Sequence, residues 1–205
     1  MLKVILIRHG QTGWNQARRI QGSGSDTVIN EEGIRQCNCL ALKLQTEKIV
    51  AVYSSPMSRA IYTAEAVARC HNLPVITDDA LKEINCGTME GIPVGDIGHR
   101  LQTLVKGGDE NELLFKQCGG ESLEELKDRA WGAIQRIARA YPDGTVVVVS
   151  HYFTIAVILC AVLGLPATQL GRFRLGETSV TNIMFDEKYG PFLSLFNDRC
   201  HLTAV

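Results

Sequence analysis

Arg8-His9-Gly10 closes an apolar run that begins at Leu2, and Ser150-His151 closes a run of four successive valines. Ser54-Ser55 ends a third apolar run, and Arg59 follows one turn into the next segment. Two of the five histidines thus fall at the ends of candidate strands. Folded together, these segments put two imidazoles and two guanidiniums in one neighbourhood. Buried cations without partners are costly. No carboxylate stands beside them in the sequence, so their natural partner is an external anion. Arginine forks match the oxygens of phosphate or carboxylate, and Gly10 lets the backbone approach closely. Nearby cations keep imidazole neutral, and neutral imidazole is a nucleophile. Attack by His9 on phosphorus gives a phosphohistidine and splits one hard displacement into two. The leaving alkoxide then needs a proton. Glu83, just after a third candidate strand, is a candidate donor, but by type and position it is one of 22 acidic residues and reads as a solvated charge.

The elements that must position these groups alternate along the chain. Leu2 to Ile7, Ile49 to Tyr53, Val75 to Thr77 and Thr145 to Val149 read as strands. The valine run lacks polar alternation, as expected where both faces of a parallel sheet are covered. Asn30 reads as an N-cap ahead of Ile34, Cys37, Ala41 and Leu44 at helical spacing. Ser55-Pro56 predicts a helix with the proline at its first position. Ser122 and Glu125 form a capping box before Leu126, Ala130, Ala133, Ile137 and Ala140. Another helix follows from about Tyr152 and ends near Gly164. Ser179 to Phe185 and Phe192 to Phe196 read as two closing strands. The alternation predicts right-handed βαβ units in a three-layer α/β/α sandwich with a mostly parallel mixed sheet. Ligands in such sheets bind beyond the carboxyl ends of the strands. Residues 84–120 are the least regular part, with eight of the 19 glycines and a helix expected around Ile97 to Val105.

Composition narrows the classes. The 205 residues predict one domain, 1–205, with 84–120 as an insertion that covers the substrate. A net charge of −1 argues against a general nucleic-acid binder. The run from Val4 to Ile7 is too short for a signal peptide core, and Phe153 to Leu165 is too short to span a bilayer. A cytoplasmic location is therefore expected. Seven cysteines, an odd number, predict reduced and mostly buried thiols rather than a disulfide framework.

The chain resembles the histidine phosphatase superfamily, in the branch that includes phosphoglycerate mutases, along nearly its whole length. Leu6-Ile7-Arg8-His9-Gly10-Gln11-Thr12-Gly13-Trp14-Asn15 is similar to its R-H-G-x-T-x-x-N signature, and Arg19-Ile20-Gln21-Gly22 to the R-x-Q-G that follows. Ser54 to Ala60 with Thr63-Ala64-Glu65 resembles its second arginine motif, and Leu81 to Ile84 with Gly87 and Glu90-Gly91 the segment that carries the acid. Gly120-Glu121-Ser122, Val148 to His151 and Asn197-Asp198 with His201-Leu202 match later landmarks in the right order. The resemblance implies a phosphoglycerate mutase-like fold with His9 as the phosphorylated nucleophile. Arg8, Arg59 and His151 would bind the phosphoryl group. Asn15 would add a donor, and Gln21 and Gly22 would line the entrance. Glu83 would be the acid and then the base that activates water. His201 reads as structural.

The resemblance leaves a choice of reactions. Mutases of this family carry a basic insertion after the acid. Here Ile84 to Gly120 has only Arg100, Lys106 and Lys116 as cations, against Glu90, Asp96, Asp109, Glu110 and Glu112. Hydrolysis of small phosphate monoesters is favoured, with a cofactor-dependent phosphoglycerate mutase or a non-catalytic phospho-ligand-binding protein as alternatives. Substrates in view are phosphoserine, phosphoglycerates, α-ribazole phosphate or a loose range of monoesters. Met89, Cys86 and Tyr152-Phe153 depart from the usual family residues and bear on the pocket's shape, not on the nucleophile or acid. No metal and no cofactor is expected, because H-x-H and H-E-x-x-H spacings are absent and flanking arginines repel cations. The expected partner is a small phosphorylated metabolite, with no nucleic acid and no membrane, and a homodimer is left open. A serine hydrolase is excluded by the lack of a G-x-S-x-G elbow. Cys37-x-Cys39 reads as helix packing.

Overall fold

The computed structural model describes residues 1–96 and 113–203. In chain order these form β1 (Leu2–Arg8), a single helical turn α1 (Gly13–Gln16), α2 (Glu31–Leu44), β2 (Ile49–Ser54), α3 (Ser58–Arg69) and β3 (Val75–Thr77). Then come α4 (Leu123–Ala140), β4 (Gly144–Ser150), α5 (Tyr152–Val162), β5 (Val180–Asp186) and β6 (Gly190–Asp198). The strands make one sheet in the order β3-β2-β4-β1-β5-β6. β4 pairs in parallel with both β1 and β2, and β2 with β3. The closing hairpin runs antiparallel, β5 against β1 and β6 against β5.

Side chains alternate across a strand, so successive apolar residues need cover on both faces. Val4, Leu6, Val146 and Val148 pack with α4 and α5. Ile5, Ile7, Val147 and Val149 pack with α2 and α3 on the other face. The three-layer α/β fold expected from the alternation is the fold observed. Asn30 caps α2 by accepting from the Gly33 amide at 2.8 Å, and Ser122 and Glu125 close their capping box at 3.1 and 2.9 Å.

Two expectations need correction. Pro56 is not the first residue of a helix: α3 starts at Ser58 with Met57 as its N-cap. Ser55 is still tied to the sheet through its amide, which donates to the Val149 carbonyl at 3.0 Å, so the chain cannot coil until Met57. α3 has no cap of its own at Met57, and Asp26 accepts from the Ser58 amide at 2.9 Å and hydroxyl at 2.6 Å. The thiols are all unpaired but not mostly buried: Cys37, Cys86 and Cys160 are buried, whereas Cys70 and Cys200 are exposed. The helix expected around Ile97 to Val105 lies outside the described residues. Among the described residues no helix is long and apolar enough to cross a membrane.

Candidate active site

His9 is the first residue past β1, and its amide donates to the Ser150 carbonyl at 3.0 Å, continuing the β1–β4 ladder. The ladder therefore delivers its ring to the carboxyl edge of the two central strands. His9 Nδ1 lies 2.8 Å from the Gly10 carbonyl oxygen. A carbonyl can only accept, so Nδ1 carries the hydrogen and Nε2 keeps the free lone pair. The His151 ring centroid is 5.1 Å away. Burial holds both imidazoles well below the usual value. The charge of Arg59 adds to this at both rings, and that of Arg8 also at His9. Both rings are therefore neutral at neutral pH. Gly10 is packed closely against α2 rather than against a ligand: a Cβ there would stand 2.9 Å from Cys37 Sγ and 3.0 Å from the Gly33 carbonyl oxygen.

Two arginines flank the imidazoles. Arg59, in the first turn of α3, is fully buried and donates to the carbonyls of Ser25 at 3.1 Å and Gly22 at 3.0 Å. Burial lowers its pKa to about 10, opposed chiefly by the Glu83 carboxylate, so it remains a cation. Arg8 donates to the Leu175 carbonyl at 2.7 Å and pairs with Glu177 at 3.2 Å. This corrects the inference that an external anion is the only partner for these cations: the fold brings a carboxylate from a distant loop. Even so, Arg8 Nε, Arg59 Nε and His151 Nδ1 are buried with no hydrogen-bond partner among the described residues. Such groups are costly to leave unpaired, and an oxyanion at His9 would satisfy them. His151 Nε2 lies 2.8 Å from Ser55 Oγ. If the Ser55 hydroxyl donates there, the unpartnered Nδ1 carries a hydrogen toward such an anion.

Glu83 is buried, not solvated. Its Oε1 accepts from the amides of Ile84 at 2.9 Å and Thr154 at 3.2 Å, and its Oε2 from the Phe153 amide at 3.1 Å. The Thr154 hydroxyl lies 3.1 Å from Oε1. His151, the N-cap residue of α5, gives that helix no side-chain cap, and Glu83 takes its place from 70 residues away. An anion at a helix N-terminus is favoured by the orphan amides and the helix dipole. Burial is nonetheless the larger effect, and it raises the carboxyl pKa above its usual value.

Arg8, His9, Asn15, Gln21 and Glu83 line one cavity of about 580 Å³. Arg59, His151 and Gly22 do not line it but are buried beside these groups. The Gly22 carbonyl holds Arg59, and a Cβ at this residue would stand 2.3 Å from Glu90 Oε1. Asn15 accepts from the Thr12 amide and hydroxyl at 3.1 and 3.0 Å, so its NH₂ is the group left for a ligand. Gln21 Nε2 donates to Thr12 Oγ1 at 2.7 Å. His201 stands apart from the cavity, 3.2 Å from Thr178 Oγ1. Val94 and Phe115, from the described ends of the 84–120 stretch, also line the cavity. Sequence reasoning missed Arg18, Arg174 and Glu177 on the cavity wall, and Ser55 and Thr154 behind it, and it matched Arg19 to a motif without giving it a place in the site. Ser55 could have been found from its place at a strand end beside the site. Nothing local distinguishes Arg174 or Glu177. Among the described residues no three His, Cys, Asp or Glu side chains are grouped to hold a metal ion.

Comparison with known proteins bears on this arrangement. The profile of the histidine phosphatase superfamily (branch 1) matches residues 4–199. Phosphoserine phosphatase 1 of Hydrogenobacter thermophilus is 33% identical over 98% of this chain and 95% of its own. A probable phosphoglycerate mutase of Yersinia pestis is 34% identical over 95% of this chain and 89% of its own. Among solved structures, a mutant phosphoserine phosphatase from Entamoeba histolytica in complex with phosphoserine superposes with a TM-score of 0.86. It is 30% identical, covering 98% of this chain and all of that one. A mycobacterial glucosyl-3-phosphoglycerate phosphatase complexed with VO₃ gives a TM-score of 0.83 at 26% identity, covering 96% and 99% of the two chains.

Proposed function

The chain belongs to the histidine phosphatase superfamily, and from that premise we propose that it hydrolyses small phosphate monoesters in two steps through a phosphohistidine on His9. The observation that carries this reading is the His9 ring itself, fixed by its Nδ1–H bond to Gly10 so that Nε2 keeps a lone pair beside unpaired arginine donors. In the first step Nε2 attacks phosphorus, an N–P bond forms, and the P–O bond to the alcohol breaks. Glu83, whose raised pKa favours the protonated form, gives its proton to the leaving oxygen. In the second step Glu83 takes a proton from water as that water attacks phosphorus. The N–P bond breaks and inorganic phosphate departs. Arg8, Arg59, His151 and Asn15 hold the phosphoryl oxygens, and Gln21 lines the entrance, with Gly22 behind it holding Arg59. Donors fixed in advance around developing charge are usually the largest contribution to such catalysis.

The organic part of the substrate is anionic in this reading. Arg18, Arg19 and Arg174 stand on the cavity wall beside apolar Ile20, Val94 and Leu170, a setting suited to the carboxylate of a phosphorylated hydroxy or amino acid. The relatives named for phosphoserine and glucosyl-3-phosphoglycerate support that class. Location in the cytoplasm belongs to the same proposal, supported by seven unpaired thiols, the state that a reducing compartment maintains.

The test is to trap the intermediate. Enzyme mixed with ³²P-labelled phosphoserine or 3-phosphoglycerate and quenched in alkali should retain label on His9. That label should be lost in acid and absent from His9→Ala, which should also lose turnover. Acid-stable label on another residue, or turnover by His9→Ala, would overturn the proposal. Running the same assay with 2,3-bisphosphoglycerate separates hydrolysis from mutase transfer.

A further inference from the structure

Glu83 sits in an irregular stretch between the 3₁₀ turns Asp79–Leu81 and Gly87–Met89. No strand ladder fixes this stretch, yet every carbonyl from Ala80 to Asn85 has a partner. Arg129 Nη1 donates to the carbonyls of Ala80 and Lys82, both at 2.8 Å, and Nη2 to that of Glu83 at 3.0 Å. The Leu81 carbonyl accepts from Ser150 Oγ at 2.8 Å, that of Ile84 from the Ser23 amide at 3.1 Å, and that of Asn85 from the Glu121 amide at 2.9 Å. Arg129 thus supplies three of these six anchors from one side chain on α4. Its Nε and Nη2 also grip the two Glu121 oxygens at 2.6 and 2.8 Å. All five N–H groups of the guanidinium are therefore used. Arg129 does not line the catalytic cavity, and no chemical step above requires it.

We propose that Arg129, oriented by Glu121, is a positioning residue that sets where the Glu83 carboxyl stands relative to the leaving oxygen. The proposal rests on the reading of Glu83 as the acid. A planar fork that binds the carbonyls of Ala80, Lys82 and Glu83 fixes both the height and the rotation of the segment. Displacing a reacting group by about 1 Å can cost about 100-fold in rate. Lysine has no planar fork and cannot reproduce these bonds.

The test uses the leaving group as its readout. p-Nitrophenyl phosphate releases a stable phenolate and needs little proton donation, whereas phosphoserine and 3-phosphoglycerate release alkoxides. Arg129→Met should lower kcat/KM for the faster of the two alkyl esters about 10- to 100-fold. It should change that for p-nitrophenyl phosphate by less than about threefold and leave competitive inhibition by inorganic phosphate unaltered. Arg129→Lys and Glu121→Gln should shift the ratio in the same direction by less, and they carry the test should Arg129→Met fail to fold. Equal losses on both ester types, or no loss in any variant, would overturn the proposal. Glu83→Gln in parallel separates the two readings. If it alone discriminates between esters, positioning by Arg129 fails and the acid stands. If it treats both alike, the acid assignment fails and this inference falls with it.

Discussion

In the proposed mechanism, protonating His9 would remove the lone pair that Nε2 needs, and ionising Glu83 would remove the proton that the leaving oxygen needs. The active form therefore has a neutral imidazole and a neutral carboxyl. Burial moves the two groups in opposite directions, His9 below its usual 6.5 and Glu83 above its usual 4.5. Both shifts widen the pH range over which the proton arrangement suits the first step. The expected pH profile of kcat/KM for an alkyl ester is a bell, with its acid limb below pH 6.5 and its alkaline limb above pH 4.5. Glu83→Gln should lower that rate by about 10²- to 10⁴-fold and abolish the alkaline limb. An alkaline limb that survives in Glu83→Gln would assign that titration to another group. Thr154 serves both states of the acid: its hydroxyl lies 2.8 Å from the Lys82 carbonyl and 3.1 Å from Glu83 Oε1, and its single hydrogen can satisfy either.

At the scale of elements, the site depends on where loops cross helices. Gly33, in the first turn of α2, faces the loop after β1: a Cβ there would stand 2.1 Å from the Gln11 carbonyl oxygen, two residues from His9. Alanine is worth about 1 kcal/mol more than glycine inside a helix, but overpacking against backbone costs about 1–3 kcal/mol. Gly33→Ala should therefore lower the melting temperature and, by pushing the loop, weaken inhibition by phosphate. A rise in melting temperature would show that the loop yields freely. The strands and the longer helices were legible in the sequence because apolar period and capping residues act locally. Arg8, His9 and His151 were legible because strand ends in a parallel sheet converge on one edge. Glu83 as a buried acid was not, because its burial depends on α5 docking from 70 residues away. Glu177 and Arg129 escaped for the same reason: their partners, Arg8 and the carbonyls of Ala80, Lys82 and Glu83, come from far along the chain. Pro56 was misplaced because its neighbour Ser55 still bonds to β4, a tertiary constraint that overrides the local signal.

At the scale of the whole molecule, three buried histidines among the described residues link folding to pH. His9, His151 and His201 all have folded-state values below the ordinary 6.5, His201 at about 4, with burial the first cause in each. The unfolded chain takes up these protons near pH 6.5 and the folded chain does not. Their contribution to stability is thus complete above that pH and is lost as the pH falls toward the folded values. The slope is about 1.4 kcal/mol per pH unit for each histidine in that window. Glu83, with its folded value raised, acts in the opposite sense over the same window, so urea unfolding should show a net drop in stability between pH 7 and pH 5 smaller than the histidines alone would give, and a net rise would refute neutral burial of these rings. The trans cap on α5 has its own consequence. In the proposed mechanism, the carboxylate that closes the front of this helix is also the group that accepts and releases a proton in each turnover. When Glu83 is neutral, the amides of Phe153 and Thr154 face a weaker acceptor, so the first turn of α5 is held less firmly in that state. Glu83→Gln, which leaves a neutral acceptor there, should therefore speed amide exchange at Phe153 and Thr154, and unchanged exchange would show that the charge of the carboxylate does not hold this turn.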